Sequence, residues 1–563
     1  MVGKASLLLR QIEQCKDEYS HDAASRKLDL LQGLERKQLS RAREVYRLHE
    51  VLCFLRAYPD NEEILTSVER MLRGFAHRRD LHIHCKELTN SGISGTEIKF
   101  RFYFFTSCWL ARRWPDKISI DWGAFRKKGK LEDFLHLLLP YSETPAIDEL
   151  SMSPREWISE LKGPAETDAS FIIKRFEAAA ASSFERETLY ESFDIPIKIY
   201  PGAGTPSRTL ARHPASPVVF QTRPFQIKRP SLLREVRRNP VSVRPLPPRD
   251  GCKLIDLARE AMVTRSRDLD VFEHASDEDV RLVDFGQGLQ FACIGVIPER
   301  RLMLEAVYGF LTLKNGIPIG YVLSSALFRS AEVAFNMFET YRAAESAFIY
   351  SRVLAMVRHL FGCETFTIPP IQLGYENPEG LKSGAWWFYY KLGFRPHDRG
   401  VRSIVRAELE QMKMNPHHRS TIPTLEKLAS ENLFMYLDRP REDVLGKISL
   451  GDIGLEISHT LSSRFGANRE EGIKVCSDEA ARLLGLRSFR GFSAGKRLTW
   501  ERWSPLIVSL DGVQGWSPAE KRALVQVVRA KGGQRESRFV TLFDRHHRLR
   551  QAILKLSKKQ QPC

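Results

Sequence analysis

Apolar residues recur at helical spacing through Leu28, Leu31 and Leu34, and again through Val51, Leu52 and Leu55, until Tyr58-Pro59 breaks the pattern. Residues 1–80 therefore predict helices. After Leu81 the texture changes: Gly92 and Gly95 lead into Phe100-Arg101-Phe102-Tyr103-Phe104-Phe105, and Lys99 and Arg101 alternate with apolar positions. That alternation predicts a partly buried strand within a small mixed α/β element over 81–122. Helix resumes at Ser153-Pro154-Arg155-Glu156, where serine caps, proline suits the first turn and the glutamate reaches back to the cap. Over 251–410 the two periods interleave. They predict helices at 254–272, 344–361 and 384–392, and strands at 280–283, 289–296, 308–313, 319–327, 333–341, 365–368 and 403–409. Helices return from 411, with a second capped start at Ser517-Pro518-Ala519-Glu520.

Residues 205–250 interrupt both periods. They hold nine prolines among ten basic side chains, which blocks regular helix and favours extended, semi-rigid chain. The chain is expected to divide there: a mostly helical region with a small strand element over 1–204, a Pro/Arg-rich connector over 205–250, a mixed α/β domain over 251–410 and a basic helical region over 411–563. The fold class is multi-domain α+β, a central mixed sheet flanked by helices with mostly helical terminal regions. No repeat at solenoid periods is seen.

With 563 residues, 43% of them hydrophobic, the chain can bury several cores, which excludes a disordered chain, a collagen-like fibre and a disulfide mini-protein. The formal charge of +17 is unevenly placed. The connector carries +8 and residues 487–563 carry +12, leaving the rest slightly acidic. Nine scattered cysteines without a C-x-x-C pair fit a reduced, cytoplasmic chain, and no membrane span is indicated.

Most of the chemistry lies in Ala385-Trp386-Trp387-Phe388-Tyr389-Tyr390-Lys391-Leu392-Gly393-Phe394. On a helix, Ala385, Phe388, Tyr389 and Leu392 share a face, Tyr389 points inward, and Gly393 ends the helix. The stretch resembles the last helix of the GNAT superfamily of N-acyltransferases, with its Asn, two residues, Ala, three residues, Tyr, three residues, Gly-Phe. Ala385, Tyr389, Gly393 and Phe394 match, and Lys382 stands at the Asn position. The resemblance implies a GNAT-like sheet in 251–410 and Tyr389 as general acid toward the coenzyme A thiolate. A phenol of pKa about 10 suits that role. It also implies that backbone amides of Arg342, Ala343, Ala344, Glu345, Ser346 and Ala347 hold the coenzyme A pyrophosphate where a strand enters a helix. Arg342 and Ala347 fit the family's loop, whereas Glu345 stands at its first glycine and puts a carboxylate where a phosphate would sit. Against the catalytic reading stands the ordinary one, in which a helix-face tyrosine is a core residue with a satisfied hydroxyl.

An amine acceptor must also lose a proton, and Glu305, Glu332 and Glu339 are the carboxylates on nearby predicted strands, none singled out by spacing. His82, His84 and Cys85 lack a second ligand pair and fit a strand with alternating histidines, so no metal centre is expected. The C-terminal Arg535, Arg538, Arg545, Arg548, Arg550, Lys555, Lys558 and Lys559 alternate with apolar residues as on an amphipathic basic helix. Its first reading is a solvated face docked on the chain; its second is a polyanion contact, shared with the connector. Two functions follow. One is an N-acyltransferase using acetyl-CoA or another acyl-CoA on an unidentified amine, and the alternative is a non-catalytic scaffold of the same fold that binds protein or nucleic acid through its basic segments.

Overall fold

A computed structural model describes residues 4–214, 216–225, 229–342 and 345–558. They form two compact units, each discontinuous in sequence. Unit 1 takes Met1–Phe225, Cys252–His274 and Leu313–Ile319, and unit 2 takes Gln226–Gly251, Ala275–Thr312 and Gly320–Cys563. The architecture is α+β.

Unit 1 opens with helices Lys4–Cys15, His21–Glu35, Ala42–Ala57 and Glu62–Arg73. Their buried stripes, among them Leu31 with Leu34 and Leu48 with Leu52 and Leu55, keep the helical spacing of the sequence. The histidine segment is helix rather than strand, because the buried Asp80 carboxylate accepts from the Leu39 and Leu81 amides and pairs with Arg78, fixing a turn at Arg79–Ile83. The aromatic run is strand only at its start. Strand β1 (Ile98–Phe100) pairs with β3 (Ile197–Ile199), which also pairs with β2 (Ile118–Ile120), all antiparallel. Phe104 then begins the helix Phe104–Arg113, whose opening amides find distant acceptors: Tyr103 N–H donates to Asp268 at 2.9 Å and Phe105 N–H to Glu273 at 2.7 Å. Alternation loses to these tertiary caps.

Unit 2 is built on nine strands in the order β11-β12-β10-β9-β8-β7-β6-β5-β4. In chain order they are β4 (Ser242–Pro245), β5 (Ala275–Asp284), β6 (Leu289–Val296), β7 (Ala306–Lys314), β8 (Ile317–Leu327), β9 (Ser330–Met337), β10 (Thr365–Ile368), β11 (Arg395–Pro396) and β12 (Leu433–Tyr436). The connector is thus not wholly irregular, since β4 joins β5 from within it. Proline is tolerated there because β4 is an edge strand. Asn315 and Gly316, both at positive φ, make the tight turn between β7 and β8.

Pairing is antiparallel at β4–β5, β5–β6, β8–β9, β10–β12 and β11–β12, and parallel at β9–β10, where helix α1 (Ser346–Phe361) makes the crossover. Helix α2 (Ala385–Leu392) stops at Gly393 in the left-handed region and feeds β11. The strand expected at 403–409 is instead part of the helix Arg399–Met414, started by an Asp398 cap on the Val401 amide and buried along Val401 and Val405. Helices α3 (Ala494–Ser509), α4 (Pro518–Lys531) and α5 (Ser537–Arg545) follow, and both Ser-Pro-x-Glu starts form capping boxes. Rather than one amphipathic basic helix, the C-terminus forms α5 and His547–Leu556, broken at His546, with Phe539, Phe543, Leu549 and Ile553 buried. Lys559 lies outside the described residues. Among the described residues no helix is long and apolar enough to cross a membrane.

Candidate functional site

The parallel pairing of β9 with β10 is short. It joins Ser330, Ala331 and Glu332 to Thr365, Phe366 and Thr367, whereas β9 runs on to Met337 still paired with β8. Beyond Glu332 this edge of β9 opens. Pro369 and Pro370 end β10 and turn the chain into a short helix, Pro370–Leu373, which carries Gln372 to the gap. The Gln372 Nε2 donates to the Phe335 carbonyl at 2.8 Å and to the Tyr389 hydroxyl at 3.0 Å.

Tyr389 is therefore placed at the open strand edge. It is 2% exposed and packs against Tyr350 and Phe394, with ring centroids 5.4 and 5.9 Å away. Burial raises its phenol above the ordinary value, so it stays protonated at neutral pH. The hydroxyl of the neighbouring Tyr350 and the indole N–H of Trp386 are buried with no hydrogen-bond partner among the described residues.

The segment expected to hold a pyrophosphate starts α1. Arg342 is exposed, pairs with Glu379 and donates to the Met337 carbonyl at 3.0 Å. Ala343 and Ala344 lie outside the described residues. Glu345 is the N-cap residue and makes no side-chain cap bond, while Ser346 Oγ turns back to the Arg342 carbonyl at 2.6 Å. The first bond of the helix runs from Ile349 N–H to Glu345 O, so the amides of Ser346, Ala347 and Phe348 occupy the positions that a helix leaves to outside acceptors. These donors and the helix dipole suit a phosphate; the Glu345 carboxylate beside them opposes it.

One of the three carboxylates is set apart. Glu332, half-buried on β9, stands opposite Ser325 of β8, and its carboxyl is pushed up to about 7 by burial first and then by Glu305. Glu305 is itself raised by burial and hydrogen-bonded to Ser325. Glu339 is exposed in the turn Glu339–Tyr341. Strand alternation puts Glu332, Ala334 and Asn336 on the half-open face and Val333, Phe335 and Met337 in the core.

Unit 1 holds the described residues best arranged for a cation, and they are not the histidines of the 82–85 segment. Glu187, Glu273 and His274 bring ligand atoms within 4.8 Å of one another. Burial and the nearby Asp268 push Glu273 up to about 9, and burial pushes Asp268 up to about 6. These carboxylates already serve the helix start at Phe104, so their gathering has a structural cause.

Sequence spacing misses Gln372, the Glu305–Glu332 pair and the Glu187–Glu273 approach, because each contact joins residues far apart in the chain. Pro369-Pro370 directly after an apolar strand does signal the turn that returns Gln372. No family model, curated protein or solved structure matches this chain.

Proposed function

We propose that unit 2 is an N-acyltransferase that takes its acyl group from an acyl-CoA, acetyl-CoA in the first instance. The observation that carries this reading is Glu332: a carboxyl at about 7, half-open to solvent, beside the point where β9 loses its strand partner. A base poised near neutral pH can take the proton from an amine, whereas an ordinary solvated carboxylate is too weak. The thioester supplies the electrophilic carbonyl. As the amine nitrogen bonds to that carbon and the carbon–sulfur bond breaks, Glu332 accepts the amine proton and the Tyr389 hydroxyl donates to the leaving sulfur, recovering its proton from solvent. The amides opening α1 support the phosphates, and the order β9, α1, β10, α2, β11 agrees with the resemblance carried by Ala385, Tyr389, Gly393 and Phe394.

The experiment is thiol release from acetyl-CoA across a panel of primary amines, with Glu332→Gln and Tyr389→Phe beside the parent chain. Amine-dependent release that falls at least a hundredfold in Glu332→Gln supports the reading. No release, together with no rise in melting temperature at millimolar acetyl-CoA, would sink it.

The second reading, a non-catalytic module of the same architecture, is favoured by one arrangement: Gln372 occupies the open edge of β9 and Glu345 the start of α1. The same melting experiment separates the two.

A further inference from the structure

A cleft of about 730 Å³ lies in unit 2 between β5 and helices α3, α4 and α5. Among the described residues five cations line it, Arg281, Lys496, Arg529, Arg535 and Arg538, with no carboxylate and no aromatic ring. Among the described residues Lys496, Arg529, Arg535 and Arg538 make no ion pair with any acid of the chain. Arg535 and Arg538 are exposed at the rim, and Arg529 and Lys496 are half-buried below them.

The floor is already partnered. Arg281 is 7% exposed: its guanidinium lies over Tyr308 at 5.3 Å, donates to Cys293 Sγ at 3.4 Å and stands 3.8 Å from the Asp279 carboxylate. Its charge is balanced from below, so the uncompensated charge of the cleft is that of Lys496, Arg529, Arg535 and Arg538.

The walls are held rigidly. Arg301 donates to the carbonyls of Lys531, Gly533 and Gln534 at 2.6, 2.6 and 3.3 Å, clamping the turn between α4 and α5. Lys531 pairs with Glu536 at 2.5 Å, the Glu536 amide donates to Asp279, and the Ser537 amide donates to the Tyr308 hydroxyl at 2.7 Å. Behind Lys496, a Cβ on Gly532 would stand 2.3 Å from the Gly495 carbonyl, so the two backbones touch only because both residues are glycine. Beneath the cleft Glu536 is spent on Lys531 and Arg301, and Asp279 on Arg281 and the Tyr308 hydroxyl, which leaves the four outer cations without an acid.

From this placement we infer that the cleft is a binding site for a small oligophosphate anion. Four adjacent cations without an ion pair among the described residues, Lys496, Arg529, Arg535 and Arg538, match several adjacent negative charges. Among the described residues no aromatic ring lines the cleft, which leaves nothing on which a base could stack. The cleft meets α1 at Leu360, fourteen residues from Ser346 and so about 21 Å along the helix, which separates it from the site under the acyltransfer reading.

Calorimetric titration of the full chain with sodium tripolyphosphate, at constant ionic strength, tests the inference. Saturable one-to-one binding is expected, weakened at least tenfold in Arg535→Ala/Arg538→Ala and unchanged in Arg545→Ala, an exposed residue of α5 outside the cleft. The double variant alters only exposed side chains, so it leaves folding intact where Arg281→Met could disturb it. No saturable binding, or equal weakening in the Arg545→Ala control, overturns the site. Tighter binding of a 20-nucleotide single strand than of tripolyphosphate, lost in the same double variant, reassigns the surface to nucleic acid and overturns it too.

Discussion

Gln372 and Phe335 meet across a gap that a strand would ordinarily fill, with the side-chain amide of one 2.8 Å from the main-chain carbonyl of the other. A carboxamide nitrogen carries two hydrogens, so the bond to Phe335 and the bond to the Tyr389 hydroxyl form together. One side chain thus ties α2 to β9 where β10 has left it.

Removing that tie is expected to be costly. Gln372→Leu orphans a buried carbonyl and a buried hydroxyl and should destabilise unit 2 by about 1–3 kcal/mol. Tyr389→Phe, which leaves the Phe335 bond in place, should cost less, about 1 kcal/mol. Urea unfolding measures both, and an equal cost for the two variants would show that Gln372 is not the bridge.

Glu332 sets a pH dependence whose sign follows from its raised carboxyl. The unfolded chain ionises Glu332 near 4.5, while the folded chain keeps the proton until about 7. Its contribution is therefore complete below 4.5 and is lost as pH rises through 7. Glu332→Gln should leave stability unchanged at pH 4 and raise it by about 1–3 kcal/mol at pH 8. Any amine-acylating activity should climb with a limb near 7.

Glu273 repeats the argument over a wider window in unit 1. Its carboxyl is pushed to about 9 by burial and by Asp268, so stability is lost from pH 4.5 upward through 9. Glu273→Gln keeps the Oε1 acceptor for the Phe105 amide and removes the ionisation. The variant should match the parent at pH 4 and exceed it by a few kcal/mol at pH 9, read from denaturant midpoints across that range.

Arg301 is expected to be among the most sensitive positions of unit 2. Arg301→Met strands three carbonyls of the 531–534 turn and removes a cation 3.8 Å from the buried Glu536 carboxylate, a loss of about 3–5 kcal/mol. Ser517→Ala, which deletes only the cap of α4, should cost about 1 kcal/mol. Thermal melts rank the two.

What the sequence reveals here is periodic. The strands β6 and β10 fall on the apolar runs at 289–296 and 365–368, and both capped helix starts form as their four residues predict. Where periodicity is ambiguous, tertiary partners decide: Val401 and Val405 fit a helix face, and the acids that cap the Phe104 helix come from 268 and 273. For the same reason Tyr389 is legible as an inward residue, but its partner Gln372 is not, since a single amide contact leaves no pattern. Arg281 does leave one, since it stands two residues from Asp279 in β5 and strand alternation puts the two on one face.

The chain passes from one unit to the other at residues 225, 251, 274, 312 and 319. During synthesis unit 1 therefore waits for Ile319 to leave the ribosome, although most of its residues were made a hundred positions earlier, and by then strands β4 to β7 of the other unit have emerged as well. The two nascent cores mature over the same interval, each with distant segments to gather and a correspondingly slow search. No single cut of the gene yields either unit whole, so a fragment meant to isolate one must be rebuilt by joining pieces.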